Sequence, residues 1–273
     1  MDTNGFYHRL QSGAQVYGTC VTVWNPQWPA LVQQAGLDFV FLDTEHIPLD
    51  RFQLASLCRH YRALGMAPIV RIATADPVLA CQAVDAGAQG VVAPYLETVE
   101  AVEALVYALK YRPLKGAVLE QYRTQPETLS DVLKSYLEGY NSGNIAIANI
   151  ESVPALDNLN ALLDVKGLDA VFIGPHDLSV SMGLPEEYDH PDFEKAVTYI
   201  IKSCRSRGLS VGIHFSLEAD RQIKWGQVGA NMIVHSFDAA LFAQRLASDM
   251  KSIREGLGDQ RDTQESGTVS AVI

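Results

Sequence analysis

Cysteine is scarce in this chain of 273 residues, with only four. Cys20, Cys58, Cys81 and Cys204 stand far apart, form no C-x-x-C pair, and each lies in an apolar run that reads as strand or helix core. That spacing argues against both a zinc site and a disulfide framework. Basic residues are also short: 21 Lys plus Arg face 32 Asp plus Glu, and the formal charge of −11 repels phosphate backbones and anionic lipid. Nucleic acid and membrane surfaces are therefore poor partners. No stretch approaches the ~18 consecutive apolar residues of a membrane span, and the opening MDTNGFYHRLQSG lacks the apolar core of a signal peptide. The expectation is a cytoplasmic protein. A Gly-rich nucleotide loop is missing after the first strand-like run, which counts against an open dinucleotide-binding sheet.

What the chain has is alternation. Apolar residues make up 48% of it and charged residues 19%, enough for a core that needs no metal to hold it together. Short apolar and β-branched runs at 16–23, 38–43, 68–72, 90–94, 145–151, 170–174, 210–214 and 231–235 alternate with segments of helical period. Most are continuous, as in Phe39-Val40-Phe41-Leu42, which suits strands covered on both faces. Between them, Phe193, Ala196, Val197, Ile200, Ile201 and Cys204 form one helical stripe, Asp50 with Gln53 makes a capping box, and Asp76-Pro77 starts a helix that Gly87 closes. Eight strands with about eight helices predict an α/β fold, a (β/α)8 TIM barrel, ahead of an open doubly wound sheet. The barrel is expected over residues 1–255, with a flexible polar tail over 256–273. The stretch 113–143, between strands four and five, breaks the rhythm and reads as either a lid over the barrel mouth or a helical insertion, with helical content from Thr128 to Tyr140.

In such a barrel the chemistry gathers at the C-terminal ends of the strands. There the sequence places Asp43-Thr44-Glu45-His46, Arg71, Asn149-Ile150-Glu151, Gly174-Pro175-His176-Asp177, His214 and His235. Glu151 and Asp177 end consecutive strands, and two like charges side by side need a cation. A ligand set of carboxylate oxygens without cysteine suits Mg²⁺ or Mn²⁺. The plainer alternative is a helix N-cap acid or a solvated loop residue. Arg71 emerges from Pro68-Ile69-Val70, where a guanidinium suits a developing oxyanion or a substrate carboxylate, or a salt bridge to Glu45 or Glu151. His46 is a candidate base. Asp85 stands in the last turn of its helix, where the macrodipole disfavours negative charge, so it asks for a cationic partner. Orienting a histidine is one answer and simple solvation is the other.

At these residues the chain resembles the HpcH/HpaI aldolase family, metal-dependent class II pyruvate aldolases that include 4-hydroxy-2-oxoheptanedioate and 2-keto-3-deoxy-L-rhamnonate aldolases. The motifs are LDFVFLDTEH at 37–46, PIVR at 68–71, VDAG at 84–87, Ile150-Glu151 and VFIGPHDLS at 171–179, in the family's order. The resemblance implies a barrel of the phosphoenolpyruvate/pyruvate-superfamily type, with a divalent metal (Mg²⁺, Mn²⁺ or Co²⁺) on Glu151 and Asp177. It further implies Arg71 at the enolate oxygen, and His46 paired with Asp85 as base through a metal-bound water near Glu45. Gly174, Pro175, His176 and Asp177 would hold the substrate carboxylate, beside Asn149 where the family usually has glutamine. The implied activity is carbon–carbon lysis of a 4-hydroxy-2-oxo acid to pyruvate, or a close 2-oxo acid, and an aldehyde. The implied assembly is a homo-oligomer, commonly a hexamer that exchanges its last helix, here 239–253. Decarboxylation of an oxaloacetate-like acid and a non-catalytic ligand-binding barrel are the rivals. Lys115 stands in place of the family's usual arginine, and His214 and His235 in place of small or apolar residues, so the substrate's side chain stays open.

Overall fold

The computed structural model describes residues 3–215 and 219–259. Eight parallel strands close into a barrel in sequence order: β1 (Val16–Val21), β2 (Phe39–Asp43), β3 (Ala67–Arg71), β4 (Gly90–Ala93), β5 (Ile145–Ile150), β6 (Ala170–Ile173), β7 (Ser210–Phe215) and β8 (Met232–Phe237). Every expected strand is present, and the chain is a (β/α)8 TIM barrel. Among the described residues no helix is long and apolar enough to cross a membrane.

The continuous apolar runs divide by the two-residue period of a strand. Val40, Leu42, Val70, Val91, Ala146, Val171 and Ile213 face outward into the layer shared with the helices. Phe39, Phe41, Ile69, Val92, Ile147, Phe172, Met232 and Val234 face inward and fill the barrel. At the top of this inner column the rings of Phe41 and Phe172 stack at 5.1 Å, giving a flat apolar floor beneath the strand ends. Phe6 and Leu10, from the helix Thr3–Gln11 that precedes β1, close the opposite end. The signals for helix starts act as their chemistry requires: Asp50 and Gln53 form a reciprocal capping box, and the Asp76 carboxylate accepts the Val78 N–H at 2.6 Å.

The excursion at 113–143 is helical. Gly116–Thr124, a 3₁₀ turn and Asp131–Tyr140 fill it, so the short run Gly116 to Leu119 belongs to a helix rather than a strand. It leaves from the C-terminal end of the helix Val99–Lys110 and returns to the start of β5. Both attachment points lie at the N-terminal end of the barrel, away from the catalytic face, so within its own chain the segment is an insertion and not a lid. The last helix, Asp238–Gly256, runs past the expected barrel limit; of the expected tail, residues 260–273 lie outside the described residues.

Asn141 ties the insertion down. Its buried Nδ2 reaches the carbonyls of Lys110, Arg112 and Leu137 at 2.8–2.9 Å. Asn141→Ala leaves these carbonyls short of a donor and is expected to lower unfolding free energy by about 1–3 kcal/mol. Urea unfolding measures this, and an unchanged midpoint contradicts the tether.

Candidate active site

Cross-strand register builds the first half of the site. Asp43 and Arg71 are paired positions at the ends of β2 and β3, so both side chains rise from the same inward face. Asp43 is fully buried and takes Arg71 Nε at 2.8 Å and Nη2 at 2.7 Å, a two-point clasp. The same carboxylate accepts the backbone N–H groups of Glu45 (3.0 Å) and His46 (3.4 Å), which shapes the turn carrying those two side chains. Glu45 Oε2 lies 3.2 Å from Arg71 Nε and 3.8 Å from His46 Nε2. The principal partner of Arg71 is thus Asp43, not Glu45 or Glu151. Burial alone would lower the Arg71 pKa, but Asp43, Glu45 and Glu151 hold it above its ordinary value, so the cation persists. Phe41 lies under it at 5.7 Å. Nη1 makes no hydrogen bond to the described residues and is left for a ligand.

The second half comes from β4, β5 and β6. Glu151 follows β5 and is 1% exposed. Its Oε1 accepts the Tyr95 N–H at 2.8 Å, and Oε2 accepts from Asn149 Nδ2. Tyr95 holds a left-handed backbone conformation (φ 51°), unusual for a residue with a side chain, and desolvation together with the charges of Asp177 and Glu151 raises the pKa of its hydroxyl. Tyr95 therefore meets Glu151 directly and lies within the field of Asp177. Burial pushes the Glu151 carboxyl up to about 7; the Tyr95 N–H opposes the rise, while the charges of Asp177 and Glu45 add to it. Gly174 completes the cradle, because a Cβ there would meet Glu151 Oε2 at 2.5 Å. His176 stands 3.6 Å from Glu186, on the helix Pro175–Ser181 that carries Asp177.

These residues fit a hard divalent cation. A buried carboxylate with two acidic neighbours is costly to ionise alone, and Asn149 Oδ1 is a buried oxygen without a partner. No cluster of three or more acidic, histidine or cysteine side chains gathers at ligating distance among the described residues. Two carboxylates would hold such a cation only in part, and the remaining positions of its shell would fall to water and substrate.

Asp85 is not brought to His46. Its helix, Pro77–Ala86, runs from the end of β3 down to the start of β4, so its last turn lies at the N-terminal end of the barrel, opposite the mouth. There Asp85 pairs with Arg112, the cationic partner that its position demands. Within one chain the expected histidine–aspartate pairing does not form. Sequence reasoning placed Asp43 at a strand end but gave it no role, and it passed over Tyr95 altogether. The available signal was an acid closing the apolar run FVFLD and a tyrosine directly after Pro94.

A barrel whose strand ends gather a clasped arginine, a histidine and a pair of carboxylates fits the lyases that stabilise an enolate. The family model described as HpcH/HpaI aldolase/citrate lyase matches residues 21–244, and the chain belongs to that family of carbon–carbon lyases. It is 30% identical over 255 residues to the 5-keto-4-deoxy-D-glucarate aldolase of Escherichia coli, covering 91% of this chain and 97% of the relative. Among solved structures it is similar to an HpcH/HpaI aldolase from Desulfitobacterium hafniense DCB-2 (TM-score 0.78, 26% identity, 91% and 96% of the two chains). It is also similar to the citrate synthase SbnG (TM-score 0.79, 26% identity, 93% and 98%).

The raised Glu151 pKa has a consequence for stability. Between an unfolded value near 4.5 and a folded value of about 7, the folded state binds the extra proton, so stability in the absence of a cation falls as pH rises through that window. The loss amounts to roughly 3 kcal/mol above pH 7. Glu151→Gln is therefore expected to stabilise the chelated protein at pH 8 and to give no such gain at pH 4.5. Equal effects at both values in urea unfolding contradict the assignment.

Proposed function

We propose that this chain is a divalent-metal-dependent class II aldolase, which cleaves or forms a 4-hydroxy-2-oxo acid from pyruvate, or a close 2-oxo acid, and an aldehyde. The observation that carries this reading is a buried Glu151 carboxylate held by the Tyr95 N–H, with Asp177 near enough to raise its pKa, facing an arginine clasped by a buried aspartate. Glu151 and Asp177 would hold the cation, with Mg²⁺, Mn²⁺ or Co²⁺ suited to the oxygen donors. When bound, it supplies Lewis acidity at the 2-oxo acid.

The chain's own residues account for the rest. Retro-aldol cleavage breaks the bond between C3 and C4, the 4-hydroxyl loses its proton, and the electron pair passes to the 2-oxo acid as an enolate that is then protonated at C3. Arg71 directs a preset donor at the charge that develops on the keto oxygen, and Asp43 keeps it from moving away. Glu45 and the half-exposed His46 stand within 3.8 Å of each other at the rim, where a base must reach both water and substrate. Gly174, Pro175 and His176 shape the wall beside Asp177, where the substrate carboxylate would lie, and Asn149 orients Glu151.

The distance of Asp85 from its own His46 leaves that pairing open only between chains. Assembly has support of its own: Phe242, Leu246, Ile253 and Leu257 form an exposed apolar stripe along the last helix. A homo-oligomer that exchanges this helix, as in the hexamers expected from the resemblance, would cover it.

Activity toward 4-hydroxy-2-oxo acids is expected to vanish in excess chelator and to return with Mg²⁺, Mn²⁺ or Co²⁺. Glu151→Ala and Asp177→Ala should lose metal binding in calorimetric titration while staying folded. Full turnover with the metal shown absent rules out this reading.

A further inference from the structure

The β7–β8 side of the mouth carries a histidine that the scheme above does not use. Gly212 and His214 are two apart on β7, and a Cβ at Gly212 would meet Phe172 and Met232 of the inner column, whereas Ile213 and Phe215 pack outward. His214 therefore rises on the inward face, one layer above the Phe172 ring. It senses the charges of Arg71 and Asp43 across the mouth.

A local irregularity fixes this ring. Along the β1–β8 seam Gly18 pairs with Val234 but Cys20 pairs with Phe237, so β8 carries one extra residue. Within this bulge Ser236 adopts a left-handed backbone (φ 53°) that a serine rarely takes. The Ser236 carbonyl lies 3.1 Å from His214 Nε2. A carbonyl can only accept, so Nε2 must carry the hydrogen and Nδ1 is left with a lone pair. Burial holds the His214 pKa down to about 4, so the ring stays neutral through the working range. Nδ1 has no hydrogen-bond partner among the described residues. Nearby, Ser236 Oγ and His235 Nδ1 on β8, and Asn149 Oδ1 beside Glu151, are buried without partners. Unpaired buried polar groups in a native protein call for an explanation, and a ligand is one.

We infer that His214 is a specificity-determining residue whose Nδ1 accepts a hydrogen bond from a substrate hydroxyl, so that this lyase handles a hydroxylated substrate rather than its deoxy counterpart. The inference rests on the aldolase reading and adds the substrate class. A carboxylate is the wrong complement, because it would bring an acceptor against an acceptor. An aliphatic group would leave the imidazole nitrogen desolvated and unpaired, the situation in which a polar site rejects an analogue most strongly. The hydroxyl can belong to either half of the substrate: the carbon of the 2-oxo acid that becomes nucleophilic, or the aldehyde carbon beside the carbonyl.

Two matched pairs of compounds separate these sources. The first is hydroxypyruvate against pyruvate, read as dissociation constants by calorimetry with Mg²⁺ present. The second is glycolaldehyde against acetaldehyde, read as turnover with pyruvate. The wild type should favour the hydroxylated member of at least one pair by about tenfold or more. His214→Leu should erase that preference, and His214→Asn, whose amide oxygen can replace Nδ1, should restore part of it. Thermal unfolding confirms that each variant is folded. Equal treatment of both pairs by the wild type, or an undiminished preference in His214→Leu, overturns the inference. If no aldehyde is turned over at all, the aldolase reading falls, and the dissociation constants of the first pair decide the His214 inference alone.

Discussion

The bidentate contact between Asp43 and Arg71 is the constraint on which the rest of the site depends. A guanidinium that is only 6% exposed, above a stacked aromatic floor, is stable there because a fully buried carboxylate meets two of its nitrogens. The contact follows directly from strand register, since the two residues are opposite each other at the last paired position of β2 and β3. Asp43 also receives the N–H groups of Glu45 and His46. One buried anion therefore sets the direction of the arginine and the path of the rim turn, and it leaves Nη1 uncommitted.

Across the mouth the same principle works with the sign reversed. Glu151 is buried among negative neighbours, with Asp177 and Glu45 raising its pKa, so the fold keeps a carboxyl that destabilises it when ionised alone. Tyr95 holds this arrangement at the expense of a left-handed backbone, and Gly174 gives it room. The left-handed residues Tyr95 and Ser236, and the buried unpartnered atoms of Asn149, His235 and Ser236, lie toward the ends of β4, β5 and β8, while the inner column below is apolar. In the proposed scheme, a cation and a 2-oxo acid would complete such groups.

The barrel was legible because its signal is repeated: eight apolar runs separated by capped helices admit few other folds. The carboxylates and Arg71 were legible for a related reason, since a charge at the end of an apolar run has to emerge at a strand end. Asp85 shows where that logic slipped. Its place in a last helical turn correctly demanded a cation, but a helix that leads into the next strand ends at the opposite face of the barrel, and Arg112 was the cation within reach. The run Gly116 to Leu119 is too short to display a period, and it is helix. The clasp by Asp43, the left-handed turn at Tyr95 and the bulge at Ser236 depend on register and backbone conformation between distant segments, which no local pattern encodes.

With a cation on Glu151 and Asp177, the preset Arg71 should stabilise an enolate of the 2-oxo acid. The most direct test is deuterium uptake into the methyl group of pyruvate in D₂O, followed by proton NMR with saturating Mn²⁺ before quenching with chelator. Exchange should require the metal and slow by at least about 100-fold in Arg71→Ala, with pyruvate still bound. Exchange that persists without metal, or runs at the wild-type rate in Arg71→Ala, contradicts that role.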